Sequence, residues 1–388
     1  MKYREDKYGQ KISCLGFGCM RLAHKGREID FEATQEQICK AVELGINYFD
    51  TAYIYPGSEE ALGKVLKNND LRDQVYIADK LPQYMIKSNA AIEKYFQEQL
   101  TRLQTDHIDY YLMHMLTDIE AWNNLKKRGI VEWIDAKKKD GSIRNIGFSF
   151  HGNTEMFLKI LNDYDWDMCQ IQYNYMDENS QAGRAGLQEA AKRGIPVIIM
   201  EPLRDGKLVT LLPEKAKKRI AESHWNPAEL AYRWLWDQPE VTCVLSGMNS
   251  LEMVEENALS ASKDEVLTTE DLELIEEVKT LINEKIKVPC TACGYCMPCP
   301  RGVDIPQTFR CWNEMYMENR HTGRFEYFQV VGMRKEPGFA TQCVACGRCE
   351  SHCPQHIHII EMLKKADKDL RPLPYRIGSK LAGKIMLR

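Results

Sequence analysis

No apolar run in this 388-residue chain approaches the 18 residues a membrane-spanning helix needs. The first residues, Met-Lys-Tyr-Arg-Glu-Asp, are charged and lead into no apolar signal core. A basic excess is also missing. The formal net charge is −4, which argues against a nucleic-acid binder. There is no Gly-x-Gly-x-x-Gly loop: Gly16 and Gly18 are present at the end of the first apolar run, but no third glycine comes at the required step. A membrane protein, a secreted protein, a nucleic-acid-binding protein and a Rossmann-type dinucleotide domain are thereby disfavoured, and a cytoplasmic location is expected.

Cysteine is abundant, with 14 residues. Without a secretion signal these point to metal or thiol chemistry in a reducing compartment, not to disulfides. Eight fall in two runs. The first reads Cys290-Thr-Ala-Cys293-Gly-Tyr-Cys296-Met-Pro-Cys299-Pro300. The second reads Cys343-Val-Ala-Cys346-Gly-Arg-Cys349-Glu-Ser-His-Cys353-Pro354. The second has the bacterial ferredoxin spacing, and the first has two residues, not three, before its last cysteine. Four thiolates can hold zinc or an iron–sulfur cluster. Three cysteines within seven residues wrap the chain around one face of a cluster, and the fourth ligand must come from elsewhere. In a two-cluster ferredoxin it comes from the other run. The expected sets are Cys290, Cys293, Cys296 and Cys353 on one [4Fe-4S] cluster, and Cys343, Cys346, Cys349 and Cys299 on the other. Of the remaining cysteines, Cys14, Cys19, Cys39, Cys169 and Cys243 lie among apolar residues and read as ordinary buried side chains; Cys311 lies between the runs.

Residues 1 to about 270 alternate short apolar runs with longer amphipathic ones. Eight runs read as strands: Ile12–Gly18, Asn47–Asp50, Val75–Asp79, Ile108–His114, Ile143–Ser149, Met168–Gln172, Pro196–Met200 and Val241–Leu245. Helical signals lie between them. Thr34 and Gln37 have capping-box spacing, with Gly45 as a stop. Asn226-Pro227 with Glu229 marks a helix start. This alternation predicts an α/β fold: a (β/α)8 TIM barrel, with a doubly wound open sheet as the alternative. The C-terminal part is expected to be a helix-rich, ferredoxin-like 4Fe-4S domain. The predicted division is a barrel over 1–286, a cysteine domain over 287–361 and a basic tail over 362–388. The tail reads either as a solvated helix and terminus or as a docking surface for an acidic electron carrier.

Barrel chemistry sits at the C-terminal ends of strands. Asp50, Lys80, His114, Ser149, Gln170 and Glu201 end these runs. Singly, each has a structural reading: Tyr55 as a rim aromatic, Lys80–Asp50 as an ion pair, His114 as a core histidine. Together, Asp50-Thr-Ala-Tyr-Ile-Tyr55, Asp79-Lys80 and Tyr110-Tyr-Leu-Met-His114 resemble the aldo/keto reductase tetrad in type and order. With the cysteine runs, the chain is similar to the ferredoxin-domain branch of that family. The resemblance implies Tyr55 as acid/base, with a pKa lowered by Lys80, Asp50 as the anchor of Lys80, and His114 as the donor that orients substrate. It implies a nicotinamide cofactor lying across the barrel mouth. Ser149 and Gln170 match contacts to its carboxamide, and Asn257 matches a residue near the adenine.

Three departures bear on that cofactor. Met200 stands where an aromatic usually stacks on the nicotinamide ring. Gly247 and Met253 stand where basic residues usually grip the 2′-phosphate, so NAD(H) is favoured over NADP(H). Gly247-Met248-Asn249-Ser250 can still hold a pyrophosphate at a helix N-terminus. Hydride transfer moves two electrons and clusters move one, so a converter is needed; FMN, held by its phosphate at the mouth, is a candidate. Direct one-electron supply to the substrate, or clusters with a structural role, are the other options. The expected function is an oxidoreductase that reduces (or oxidises) a carbonyl or related unsaturated small molecule and exchanges electrons through two clusters. Ferredoxin, flavodoxin or another redox protein is the expected partner. The competing reading is an electron-transfer subunit whose barrel is a scaffold or docking module.

Overall fold

A computed structural model describes residues 1–375 except 153, 180, 291–293, 318–319, 333–336 and 374. Of the expected site residues, Cys293 lies outside the described residues, as do Arg376, Lys380, Lys384 and Arg388 of the basic tail.

Eight parallel strands close into a barrel. They are β1 (Leu15–Gly18), β2 (Tyr48–Asp50), β3 (Tyr76–Leu81), β4 (Ile108–Leu116), β5 (Ile143–Phe150), β6 (Met168–Gln172), β7 (Val197–Met200) and β8 (Val241–Ser246). Closure is made by β8 on β1, with Val244 beside Leu15. The expected first run is split: Lys11–Ser13 pairs antiparallel with Tyr3–Glu5, and only Leu15–Gly18 joins the barrel. Residues just beyond that hairpin's strands engage barrel strands, since Tyr110 donates to Asp6 at 2.6 Å and Tyr76 donates to Gln10 at 2.8 Å. Inside the barrel, Tyr48, Ala78, Leu112, Met168, Ile198 and Leu245 pack together with Ile12 beneath them. The open-sheet alternative is thereby excluded.

The first long helix, Phe31–Glu43, starts earlier than the capping-box spacing suggests. Asp30 is its cap and accepts from the Ala33 amide at 3.2 Å, while Thr34 and Gln37 sit buried inside it. The aspartate wins because its carboxylate answers the free amides of the first turn. The helix Pro227–Trp236 begins where its sequence indicates. Cys14, Cys19, Cys169 and Cys243 are buried and Cys39 is half-buried.

The chain forms two compact units. The barrel strands belong to Met1–Asp205 with Pro227–Thr269; the other unit comprises Gly206–Asn226 with Glu270–Arg388. The second unit is helical. Its core gathers Val303, Phe309, Trp312, Met315, Tyr327 and Leu363. Within it, Trp225 donates to Asp271 at 2.7 Å and Arg219 pairs with Glu277 at 2.9 Å, so the segment after β7 packs with residues far along the chain. The helix Ile359–Leu370 buries Leu363, Ala366 and Leu370 in this core, so it is packed structure past residue 361.

In the barrel unit, helices Ser58–Asn68 and Asn89–Leu103 meet at Gly63. A Cβ there would stand 2.4 Å from the Leu103 carbonyl. Gly63→Ala must push two backbones apart, and is expected to destabilise the protein by about 1–3 kcal/mol. An unchanged urea midpoint in the variant would refute this close approach.

Candidate active site and cysteine cavities

The C-terminal ends of β2, β3 and β4 bring three of the expected residues together. Asp50 ends β2, Lys80 is the penultimate residue of β3 and His114 lies near the end of β4. Tyr55 follows on the loop after β2. Lys80 is 1% exposed. Its Nζ donates to Asp50 Oδ1 at 2.6 Å and to the Thr51 carbonyl at 2.6 Å, and lies 5.3 Å from the Tyr55 ring centre. Tyr55 and His114 meet edge to face at 6.2 Å.

Burial works against the Lys80 charge, but Asp50 and then Tyr55 outweigh it and hold the ammonium above its usual pKa. Burial raises Asp50 while Lys80 and Gln170 draw it down, with a net rise. For Tyr55, burial raises the phenol and Lys80 lowers it; burial prevails. Lys80 thus acts in the expected direction but is outweighed by burial, and the phenol holds its proton more firmly than free tyrosine. Burial, then Lys80, drives His114 down to about 2. Its imidazole is neutral. Behind Lys80, buried Asp79 is pushed well above the carboxylate range, first by burial and then by Glu59. Asp50, hydrogen-bonded to Lys80 Nζ, is the carboxylate that answers the ammonium.

Gln170 donates to Asp50 Oδ2 at 3.0 Å, and its Oε1 is buried without a hydrogen bond. His114 Nδ1 is likewise buried and without a partner. Ser149 Oγ accepts from the Met115 amide at 2.8 Å, and Asn257 donates to Ser246 at 3.2 Å. Met200 is half-buried against the barrel interior, Met248 is buried, and Gly247, Asn249 and Met253 are exposed. Ser250 caps the helix Leu251–Ser262. Sequence reasoning missed Gln99, fully buried, which donates to the Lys80 carbonyl at 3.1 Å and accepts from Tyr111 at 2.6 Å. Its signal was a polar residue on the Ile92, Phe96, Gln99, Leu103 face of its helix.

In the second unit, the described cysteines of the two runs face two cavities, while Cys311 is buried in the apolar core. Cys290, Cys296 and Cys353 line one. Cys299, Cys343, Cys346 and Cys349 line the other, where Cys296 also reaches the wall. The last cysteine of each run thus lies with the other run's cysteines. Gly294 (φ 80°) and Gly347 (φ 76°) hold matching places in the two runs, where the left-handed turn favours glycine. Soft thiol donors between apolar walls suit an iron–sulfur group.

A sequence model described as the aldo/keto reductase family matches residues 14–280. The chain belongs to the aldo/keto reductase family. A second model, a 4Fe-4S dicluster domain, matches residues 289–358, so an aldo/keto reductase domain is fused here to a 4Fe-4S-type domain. An uncharacterised oxidoreductase, YqkF, of Bacillus subtilis is 26% identical over 310 residues, covering 68% of this chain and 92% of that protein. L-galactose dehydrogenase of Arabidopsis thaliana is 27% identical over 298 residues, covering 71% and 92%. The solved aldo-keto reductase AKR11C1 from Bacillus halodurans, in its holo form, superposes with a TM-score of 0.60 at 26% identity, covering 72% of this chain and 96% of that one. The aldo/keto reductase barrel is thus an oxidoreductase enzyme fold, of a kind that acts on small carbonyl compounds. Among the described residues no helix is long and apolar enough to cross a membrane.

Two consequences are measurable. The His114 resonances should show no protonation step between about pH 5 and 8, although free histidine titrates there. Because folding lowers this pKa, His114 favours unfolding as pH falls below its ordinary value of about 6.5. Lys80→Ala leaves Asp50 buried without its cation and should cost roughly 3–5 kcal/mol. A Lys80→Ala variant with the wild-type thermal midpoint would show that the pair carries no such weight.

Proposed function

We propose that this aldo/keto reductase reduces (or, in reverse, oxidises) a carbonyl or related unsaturated small molecule and couples that chemistry to one-electron transfer. The observation that carries the reading is the placement of Lys80 between Asp50 and Tyr55, facing His114, in a chain whose other unit sets seven described cysteines around two cavities. The proposed ligand sets are Cys290, Cys293, Cys296 and Cys353 for one [4Fe-4S] cluster, and Cys299, Cys343, Cys346 and Cys349 for the other. The proposed functional division is a reductase barrel followed by a cluster domain that takes in the helix Ile359–Leu370.

When bound, NADH supplies hydride and the clusters supply or accept single electrons, with FMN as the candidate converter. The chain's own residues do the rest. Tyr55 keeps its proton at neutral pH and gives it to the carbonyl oxygen as charge develops there. The Lys80 ammonium stabilises the resulting phenolate, and Asp50 keeps that ammonium charged and placed. Neutral His114 donates a hydrogen bond to the same oxygen. Ser149 and the free Oε1 of Gln170 suit a carboxamide, with Asn257 toward the adenine. Exposed Gly247 and Met253 offer no cation to a 2′-phosphate, which favours NADH over NADPH. Arg21 stands near Gly247, but its guanidinium is paired with Asp205 at 2.6 Å. An acidic one-electron carrier of the ferredoxin or flavodoxin kind is the proposed external partner.

Anaerobically purified protein should contain about eight iron and about eight acid-labile sulfide per chain; zinc in their place ends the cluster reading. Tyr55→Phe should lower carbonyl reduction roughly 10²–10⁴-fold, and full activity in that variant removes Tyr55 as the acid. Reduction by the wild type should stay flat through neutrality and decline only above the ordinary tyrosine pKa of about 10. An inflection near about pH 6.5 would instead implicate a histidine. Tighter binding of NADPH than NADH would contradict the phosphate-pocket argument.

A further inference from the structure

The two cysteine cavities are alike in donors and unlike in charge. Around the cavity of Cys290, Cys296 and Cys353, the described lining has no ionisable side chain besides the cysteines. The sequence from Cys290 to Cys299 contains no charged residue either. Around the cavity of Cys299, Cys343, Cys346 and Cys349 stand Arg301 and Arg348. The difference falls at matched places in the two runs: Tyr295 precedes Cys296 where Arg348 precedes Cys349. The Ala345 amide also donates to Cys343 Sγ at 3.4 Å, and Cys346 is the exposed cysteine of its run. One group acts the other way. Glu350 follows Cys349, but its Oε1 accepts from the Ile360 amide at 2.8 Å, in the first turn of the helix Ile359–Leu370. The positive end of that helix offsets its charge.

We infer that Arg301 and Arg348 make the Cys299, Cys343, Cys346 and Cys349 site the higher-potential of the two, so that the first electron taken up by the protein rests there. This rests on the reading that each cavity holds a [4Fe-4S] cluster. Reduction adds one electron and one negative charge to the held group and breaks no thiolate bond. The electron comes from a one-electron reductant, dithionite in the test below. A nearby guanidinium stabilises the more negative, reduced form over the oxidised one. The positive ends of the helices that begin at Ile305 and Ile359 line both cavities, Ile305 with Ile359 in one and with Ile360 in the other, and so do not distinguish them. The two arginines are exposed, so solvent and salt screen them. Their combined effect is about tenfold in the one-electron reduction constant, or about 59 mV.

The test is a redox titration of the full-length protein followed by electron paramagnetic resonance, with iron and sulfide counted on the same sample. The wild type should reduce in two waves. In the double variant R301Q/R348Q the higher wave should move down by about 59 mV while the lower one stays. A measurement on the unmutated protein stands beside it. Raising the salt from about 0.01 M to 1 M shortens the screening length from about 30 Å to about 3 Å, and should narrow the gap between the waves. Movement of the lower wave, or an unmoved pair of waves together with a salt-independent gap, overturns the inference while about eight irons still uphold the two-cluster reading. An iron count well short of that overturns the two-cluster reading itself.

Discussion

One ammonium group, Lys80 Nζ, is the charge around which the barrel mouth is arranged. It is buried and held by Asp50 and the Thr51 carbonyl, with the Tyr55 ring beside it. Burying a cation is costly unless a carboxylate and further acceptors meet it. The neighbours divide that task. Asp50 is fixed by Gln170 from across the barrel. Asp79, next along β3, is disfavoured as an anion, first by its own burial and then by Glu59. Gln99 holds the Lys80 backbone from the helix outside. The same charge reaches His114 and adds to the burial that keeps its imidazole neutral. Burial is the first cause of both the neutral imidazole and the protonated phenol; the fixed cation reinforces the one and opposes the other.

The second unit is built around thiols in the way the first is built around an ion pair. Ile305 and Ile359 open the helices Ile305–Met317 and Ile359–Leu370, and both residues line the first cysteine cavity. Helix N-termini carry partial positive charge, which suits the anionic thiolates of a bound cluster. Cys290, Cys296, Cys299, Cys343, Cys349 and Cys353 pack, half-buried, against the unit's apolar core. Cysteine runs are therefore part of the packing here. Their matched glycines, Gly294 and Gly347, give each run the same turn.

Much of this was legible from the sequence, and the exceptions have physical reasons. All eight barrel strands fell on the apolar runs, because a parallel barrel buries both faces of its strands and leaves a strong signal. The first run hid two elements, since nothing in Ile12–Gly18 announces that Ser13 and Leu15 belong to different sheets. The helix start at Asp30 was masked by a second motif one turn on. The net effect of burial on Tyr55 was not legible, because it depends on how much low-dielectric surface surrounds the ring once the chain is folded. Nor was the grouping of Gly206–Asn226 with residues from Glu270 onward, which is a contact between distant segments.

Two atoms at the mouth support a polar ligand more directly than the motif does. Gln170 Oε1 and His114 Nδ1 are buried without hydrogen-bond partners. Leaving such a group unsatisfied costs about 1–3 kcal/mol, and folded proteins carry few of them. Neither is free to rotate the cost away. Turning the Gln170 amide would face its oxygen to the Asp50 carboxylate, which repels it. Protonating His114 would place a second cation beside Lys80. An amide oxygen that must remain an acceptor is suited to an incoming N–H donor, and a neutral ring can answer a carbonyl oxygen without adding charge. The fold thus holds two unmet hydrogen-bonding groups beside its central ion pair, and a ligand with a carboxamide and a carbonyl is the chemistry that would satisfy them.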